Sequence, residues 1–181
     1  MRIESVNKYF KDIRKLKTLY VNSFPENERI PMWFLSWKAK KNFIDFFAIY
    51  DIEIFVGFTY IITHKDISFI LFFATSPELR SKGYGSKILT LIQERYAGNR
   101  IILNIEALEP KVDNYEQRQK RKKFYLNNQF RNTTFNIVEH GDLYEVLVYG
   151  NDVSAKEYLA LIRSFTGTIL SYFYSPKLTQ G

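Results

Sequence analysis

The chain has 181 residues, 46% of them hydrophobic and 25% charged, enough to bury an ordinary core and too apolar to remain disordered. It has no cysteine, which excludes disulfides, thiolate metal sites and a cysteine nucleophile. Its two histidines, His64 and His140, are far apart, so no metal site is expected. The net charge of +7 and a pI of about 9.4 favour anionic partners: nucleic acid, an acidic membrane surface or a polyanionic small molecule.

The first residues lack an apolar signal core and no run is long enough to span a bilayer, so a cytoplasmic protein without membrane contact is expected. Tyr9, Ile13, Leu16, Leu19 and Tyr20 recur at near-helical spacing and predict an amphipathic helix over residues 8–22. Pro25 ends it, and Pro31 opens a second helix over 32–41 with Trp33, Phe34 and Trp37 as its apolar side. Three strand-like runs follow, 46–50, 54–63 and 67–75, joined by turns short enough for antiparallel hairpins. The last two are almost continuously apolar, as central strands covered on both faces are. A polar Gly-containing loop, 76–85, leads into a helix over 86–96 that ends at Gly98-Asn99, and a strand over 100–107 comes next. A charged helix over 113–128, strands over 133–138 and 143–149, and a helix over 154–164 complete the order. Ser154 and Glu157 have capping-box spacing. The tail from Phe165 to Leu178 reads equally as strand or helix, and with no repeat or linker the chain reads as one domain.

The chemistry concentrates at Arg80-Ser81-Lys82-Gly83-Tyr84-Gly85, between a buried strand and a helix start. Backbone N–H groups at such a junction lack intrahelical partners, and the helix dipole adds partial positive charge there. Two glycines let the main chain approach an anion, and Arg80 and Lys82 add full charges, so the loop has the makings of a phosphate site. A plain Gly-rich turn with solvated cations fits the bare pattern as well. The spacing is not that of a P-loop or of a dinucleotide fingerprint, and the antiparallel hairpins upstream argue against the latter.

From Thr75 to Ser86 the sequence resembles the acetyl-CoA signature of the GNAT superfamily: a strand, a Pro-Glu turn, then Arg-x-x-Gly-x-Gly opening a helix. Lys123 to Phe130 (KFYLNNQF) is similar to the family's Phe-Tyr…Gly-Phe motif, and Ser23 to Pro31 resembles a segment of some bacterial members. The resemblance covers about residues 10–150. It implies an α+β (mixed α/β) fold with a central, mostly antiparallel sheet splayed into a V-shaped cleft and flanked by helices. Residues 1–181 would form a single domain, with 150–181 as a C-terminal helical, apolar extension. It implies an N-acetyltransferase that passes an acetyl group from acetyl-CoA to a primary amine by direct attack, without a metal.

The resemblance also distributes roles. The amides of Leu79, Arg80, Ser81, Lys82, Gly83, Tyr84 and Gly85 would hold the pyrophosphate, and the backbone edge of Phe73 and Thr75 the pantetheine arm. Tyr125 matches the tyrosine that protonates the departing thiolate; a phenol of pKa near 10 keeps its proton at neutral pH and can do so. Glu106, then Glu28, are the candidates to take a proton from the amine, although ion pairing is the commoner fate of such a glutamate. Two departures stand out: Gln129 occupies the place of a common Gly, and Arg118 that of an Asn which holds the pantetheine.

Arg118 to Lys123 carries five cations in six residues. Arg118, Arg121 and Tyr125 share a helix side, which would let two cations face the cofactor phosphates; a solvated face and a nucleic-acid surface are the rival readings. The alternative function is a CoA-binding or regulatory module that does not catalyse. The acceptor is a small-molecule or peptide amine, nucleic acid ranks last among partners, and monomer and homodimer both fit.

Overall fold

Leu16, Leu19 and Tyr20 make the buried stripe of the first helix, α1 (Ile13–Ser23), in the computed structural model, which describes residues 1–110, 112–139, 141–170 and 176–180. Five helices and eight strands, mostly antiparallel, alternate along these residues as a mixed α/β structure. Their contacts fall into two compact units, Met1–Ile62 with Ile70–Arg95, and Thr63–Phe69 with Tyr96–Gly181. No helix among the described residues is long and apolar enough to cross a membrane.

The first unit orders its strands β1 (Arg2–Ser5), β2 (Ile44–Asp51), β3 (Ile54–His64), β4 (Ile67–Thr75). β1 was not expected, because four residues of RIES show no usable period; it pairs antiparallel with β2, Ile3 opposite Ile49. β3 is buried without interruption from Phe55 to Ile62, as its continuous apolar run predicts, whereas β4, with the same expectation, is buried over Ile67–Ile70 and then alternates, with Leu71, Phe73 and Thr75 partly exposed. On one face Phe58 and Phe72 meet Tyr20 and Phe24 of the α1 region, and Phe46 packs on Phe58, with ring centroids 4.9–6.3 Å apart. On another, Arg95 lies over the Phe47 ring at 4.5 Å.

The second helix, α2 (Met32–Lys38), turns the other way from the expectation. Leu35 and Lys38 are its buried residues, whereas Trp33 and Trp37 are 72% and 50% exposed. Its backbone is docked instead by the Tyr60 phenol, which donates to the Leu35 carbonyl at 3.1 Å. The exposed tryptophans pack on the half-buried Phe34 ring, and the Lys38 ammonium lies 5.4–5.6 Å from the Phe34 and Trp37 rings. Apolar identity at helical spacing therefore misreported which side faces the core.

The second unit orders its strands β5 (Arg100–Glu106), β7 (Asp142–Tyr149), β6 (Arg131–Glu139), β8 (Lys177–Gln180), all antiparallel. α4 (Tyr115–Asn127) joins β5 to β6, and α5 (Ala155–Leu170) follows β7, with a break at Gly167 (φ 73°). The stretch expected as a C-terminal extension thus contributes a helix and a strand to this unit; part of the Phe165–Leu178 tail, and His140 of the expected turn, lie outside the described residues. The capping box forms as its spacing predicts. Glu157 accepts from the Ser154 amide at 2.9 Å, and the Glu157 amide donates to Ser154 Oγ at 3.4 Å. Arg100 binds Asp66 and Glu157 together and so ties the hairpin end at residues 63–69 to α5.

Candidate active site

The phosphate-loop candidate belongs to the first unit, and a β-bulge sets its origin. Ile49 faces Gly57, but Tyr50 faces Phe55, which leaves Val56 as the extra residue of β3. The two bulge carbonyls hold the first loop residue. The Ser76 amide donates to Val56 O at 2.7 Å and its hydroxyl to Phe55 O at 3.1 Å. Gly57 is the third part of this device, since a Cβ there would stand 2.2 Å from the Ala74 carbonyl oxygen. Only glycine lets β4 pass so close, and neither Gly57 nor Ser76 was singled out from the sequence.

Pro77–Leu79 then forms a 3-10 turn in which the amides of Leu79 and Arg80 donate to Ser76 O and Pro77 O. These two amides, expected from the sequence at the cofactor, are occupied by the chain itself, so the candidate anion-binding amides start at Ser81. Ser81 (φ 59°) and Gly83 (φ 79°) both adopt left-handed backbone, and an alternation of hands makes successive N–H groups converge. At Gly83 nothing lies within 4 Å of a would-be Cβ, so the glycine serves conformation rather than close packing. α3 (Tyr84–Arg95) begins there. Its Lys87 amide donates to Gly83 O, so the amides of Tyr84, Gly85 and Ser86 are the end-of-helix donors. The first turn holds no acidic residue, and Arg80, Lys82 and Lys87 are exposed around it. The Tyr84 phenol donates to Asp51 at 2.8 Å and pins the turn to the end of β2; that bond pushes the phenol pKa up. Phe73 and Thr75, with Leu71, form the partly exposed side of the end of β4.

Glu28 is half-buried at the end of the 3-10 turn Glu26–Glu28, also in the first unit. The next peptide, Ile30, is clasped by the Tyr20 phenol, which fixes the segment against the aromatic core.

The remaining candidates lie in the second unit. Tyr125 is 9% exposed, between the rings of Phe124 (5.1 Å) and Phe130 (5.8 Å). A Schellman motif presents it: the Phe130 amide donates to Tyr125 O and the Gln129 amide to Leu126 O, around a left-handed Gln129 (φ 68°). The glycine conformation of this turn therefore survives without a glycine. Burial pushes the Tyr125 phenol up to about 12, with the Arg121 charge opposing, so it holds its proton at neutral pH.

Glu106 and the two arginines make a closed group. The Glu106 carboxylate receives Asn114 Nδ2 and Arg118 Nη2, each at 3.2 Å, and Arg121. Arg118 is 8% exposed, and its other donors go to Asn114 Oδ1 (2.8 Å) and the Ala107 carbonyl (2.9 Å). The Arg118 guanidinium is thus held by groups of its own unit, while Lys120 and Lys123 form the solvated part of the run. Asn104, two residues before Glu106 on β5, went unnoticed in the sequence; its Nδ2 donates to the Tyr158 phenol at 2.8 Å and its Oδ1 is buried without a donor among the described residues.

The acetyltransferase (GNAT) family model matches residues 12–126, more than half of the sequence, so the chain belongs to the acetyltransferase (GNAT) family. It is an N-acetyltransferase. Solved structures repeat the fold at low identity. A Bacteroides thetaiotaomicron protein described as a GNAT-family acetyltransferase aligns with a TM-score of 0.71 at 23% identity, covering 93% of this chain and 97% of its own. An aminoglycoside 6′-N-acetyltransferase complexed with coenzyme A gives 0.64 at 14%, covering 82% and 96%. A Bacillus subtilis acetyltransferase in complex with CoA gives 0.59 at 15%, covering 84% and 99%. No curated protein matches the sequence significantly.

Proposed function

We propose that the chain transfers the acetyl group of acetyl-CoA to a primary amine by direct attack, with the amides of Ser81 to Ser86 as the pyrophosphate cradle. The observation that carries this reading is the left-handed pair Ser81 and Gly83 at the start of α3, ringed by exposed cations. The partly exposed edge at Phe73 and Thr75 suits an extended pantetheine arm. The amine nitrogen attacks the acetyl carbonyl carbon, and the tetrahedral adduct collapses with cleavage of the carbon–sulfur bond. Tyr125 gives its phenolic proton to the departing thiolate and is reprotonated from water; the buried phenol is protonated at neutral pH, as a proton donor must be. Glu106 accepts from Asn114, Arg118 and Arg121; Glu106 and then Glu28 are the carboxylates that could take the amine's proton, directly or through water.

Two variants test the assignment. Gly83→Asp should weaken acetyl-CoA binding in calorimetry through charge repulsion in the cradle; unchanged affinity in a folded variant would remove the loop from the site. Tyr125→Phe should keep acetyl-CoA affinity and lower kcat by roughly 10²–10⁴-fold. Full kcat in a folded variant, where chemistry limits turnover, would make water the acid.

A further inference from the structure

The Arg29 backbone is held on both sides, and yet its guanidinium makes no ion pair among the described residues. Its amide donates to Glu26 O at 3.2 Å. In the following peptide, the Ile30 N–H donates to the Tyr20 phenol at 2.8 Å, while that phenol donates to the Ile30 carbonyl at 3.0 Å. Tyr20 is itself 4% exposed, with the rings of Phe24, Phe58 and Phe72 at 5.1–6.0 Å. The guanidinium lies near enough to this phenol for its charge to oppose the rise to about 12 that burial causes. The Arg29 Nε–H is buried and meets no acceptor among the described residues.

A buried donor left unmatched costs free energy, and folded proteins retain few of them. Here the donor is one prong of a planar fork. The Nε–H and the adjacent Nη–H of an arginine together fit the two oxygens of one carboxylate, and an aromatic, weakly polar surround strengthens such a pair. Neither a solvated surface arginine nor a structural ion pair has this combination of fixed backbone and a buried donor unmatched among the described residues.

We propose that Arg29 binds the carboxylate of the acceptor, so that the amine to be acetylated belongs to an amino acid or similar amino-carboxylate rather than to a polyamine. The proposal rests on the acetyl-transfer reading above. It gives the buried Nε–H a partner that the described residues do not supply, and the net charge of +7 favours the approach of such a substrate over that of a polycation.

The test uses matched acceptors with and without the carboxylate: phenylalanine against phenethylamine, leucine against isopentylamine, with spermidine and O-phosphoethanolamine as outsiders. CoA release and calorimetric binding are followed for the wild type, Arg29→Gln and Arg29→Lys. The wild type should bind the carboxylate member of each pair about ten- to a hundredfold more tightly. Arg29→Gln should erase that preference while leaving phenethylamine, isopentylamine and acetyl-CoA binding unchanged, and Arg29→Lys should restore part of it. Equal use of both members of each pair, a preference for spermidine or O-phosphoethanolamine, or an Arg29→Gln loss shared equally by all acceptors would overturn the inference. Carboxylate-selective, Arg29-dependent binding without any CoA release would instead sink the transfer reading and keep the anion site.

Discussion

Arg118, in the second unit, gives its guanidinium to Asn114, the Ala107 carbonyl and Glu106, whereas the Arg29 Nε–H, in the first, is buried without an acceptor among the described residues. The basic run around Arg118 was the conspicuous feature of the sequence, and Arg29 was one cation in a loop. Charge density is thus a poor guide to an unmatched donor: a cation in a dense run can have its guanidinium held by protein partners, while a cation outside it keeps a buried N–H unmatched.

Removing the partners should expose this difference most. Glu106→Ala leaves Arg118 without its carboxylate at a site where the two side chains are 9% and 14% exposed, and should destabilise the protein by about 3 kcal/mol in urea unfolding. Arg29→Gln removes no ion pair among the described residues and should shift stability by no more than about 0.5 kcal/mol. Comparable losses for the two variants would break the contrast and make Arg29 structural.

A smaller effect sharpens the contrast at the backbone of the same helix. Every bond of the turn after α4 is made, but Gln129 holds a left-handed conformation that costs a residue with a Cβ roughly 1 kcal/mol. Gln129→Gly should raise stability by up to that amount, offset by glycine's greater freedom in the unfolded chain. A destabilised variant would mean that the Gln129 side chain has a role of its own.

The order of elements from α1 to α5 was legible, because buried stripes, hairpin turns and the capping box are local patterns. Tyr125 and the glycine turn at Gly83 were legible as motif residues. What escaped depended on distant partners. The four-residue β1 has no pattern without β2 beside it, and part of the C-terminal tail became β8 only by pairing with β6. The bulge that grips Ser76 needs the carbonyls of Phe55 and Val56, twenty residues upstream, and Gly57 is required by Ala74 on another strand. The exposed face of α2 was misread for a related reason, since Trp33 and Trp37 look like core residues until Leu35 and Lys38 are seen to face inward. Likewise, the closure of Glu106 by two arginines follows from the docking of α4 on β5, which no spacing in the sequence reveals.

Arg100 supplies the intermediate case, an arginine whose partners are present but wet. It pairs with Asp66 and with Glu157, whose side chains are 57% and 42% exposed. The Arg100 guanidinium, and then the Ser154 amide and hydroxyl, hold the Glu157 carboxyl down at about 2 against an ordinary 4.5. A depressed folded-state pKa gives stability that is fully present above the unfolded value, near 4.5, and is lost as the pH falls through the folded value, near 2. Water screens this pair, so the full linkage value must be discounted to roughly 0–1 kcal/mol. Glu157→Gln keeps an acceptor for the cap but removes the charge. Urea unfolding of the wild type and this variant should therefore differ by that small amount at pH 6, and the two curves should converge as the pH is lowered from 4.5 toward 2. A difference that stayed constant across this window would place the role of Glu157 in its neutral hydrogen bonds to Ser154, and Arg100 would then stand with the cations whose pairing is geometry without energetic weight.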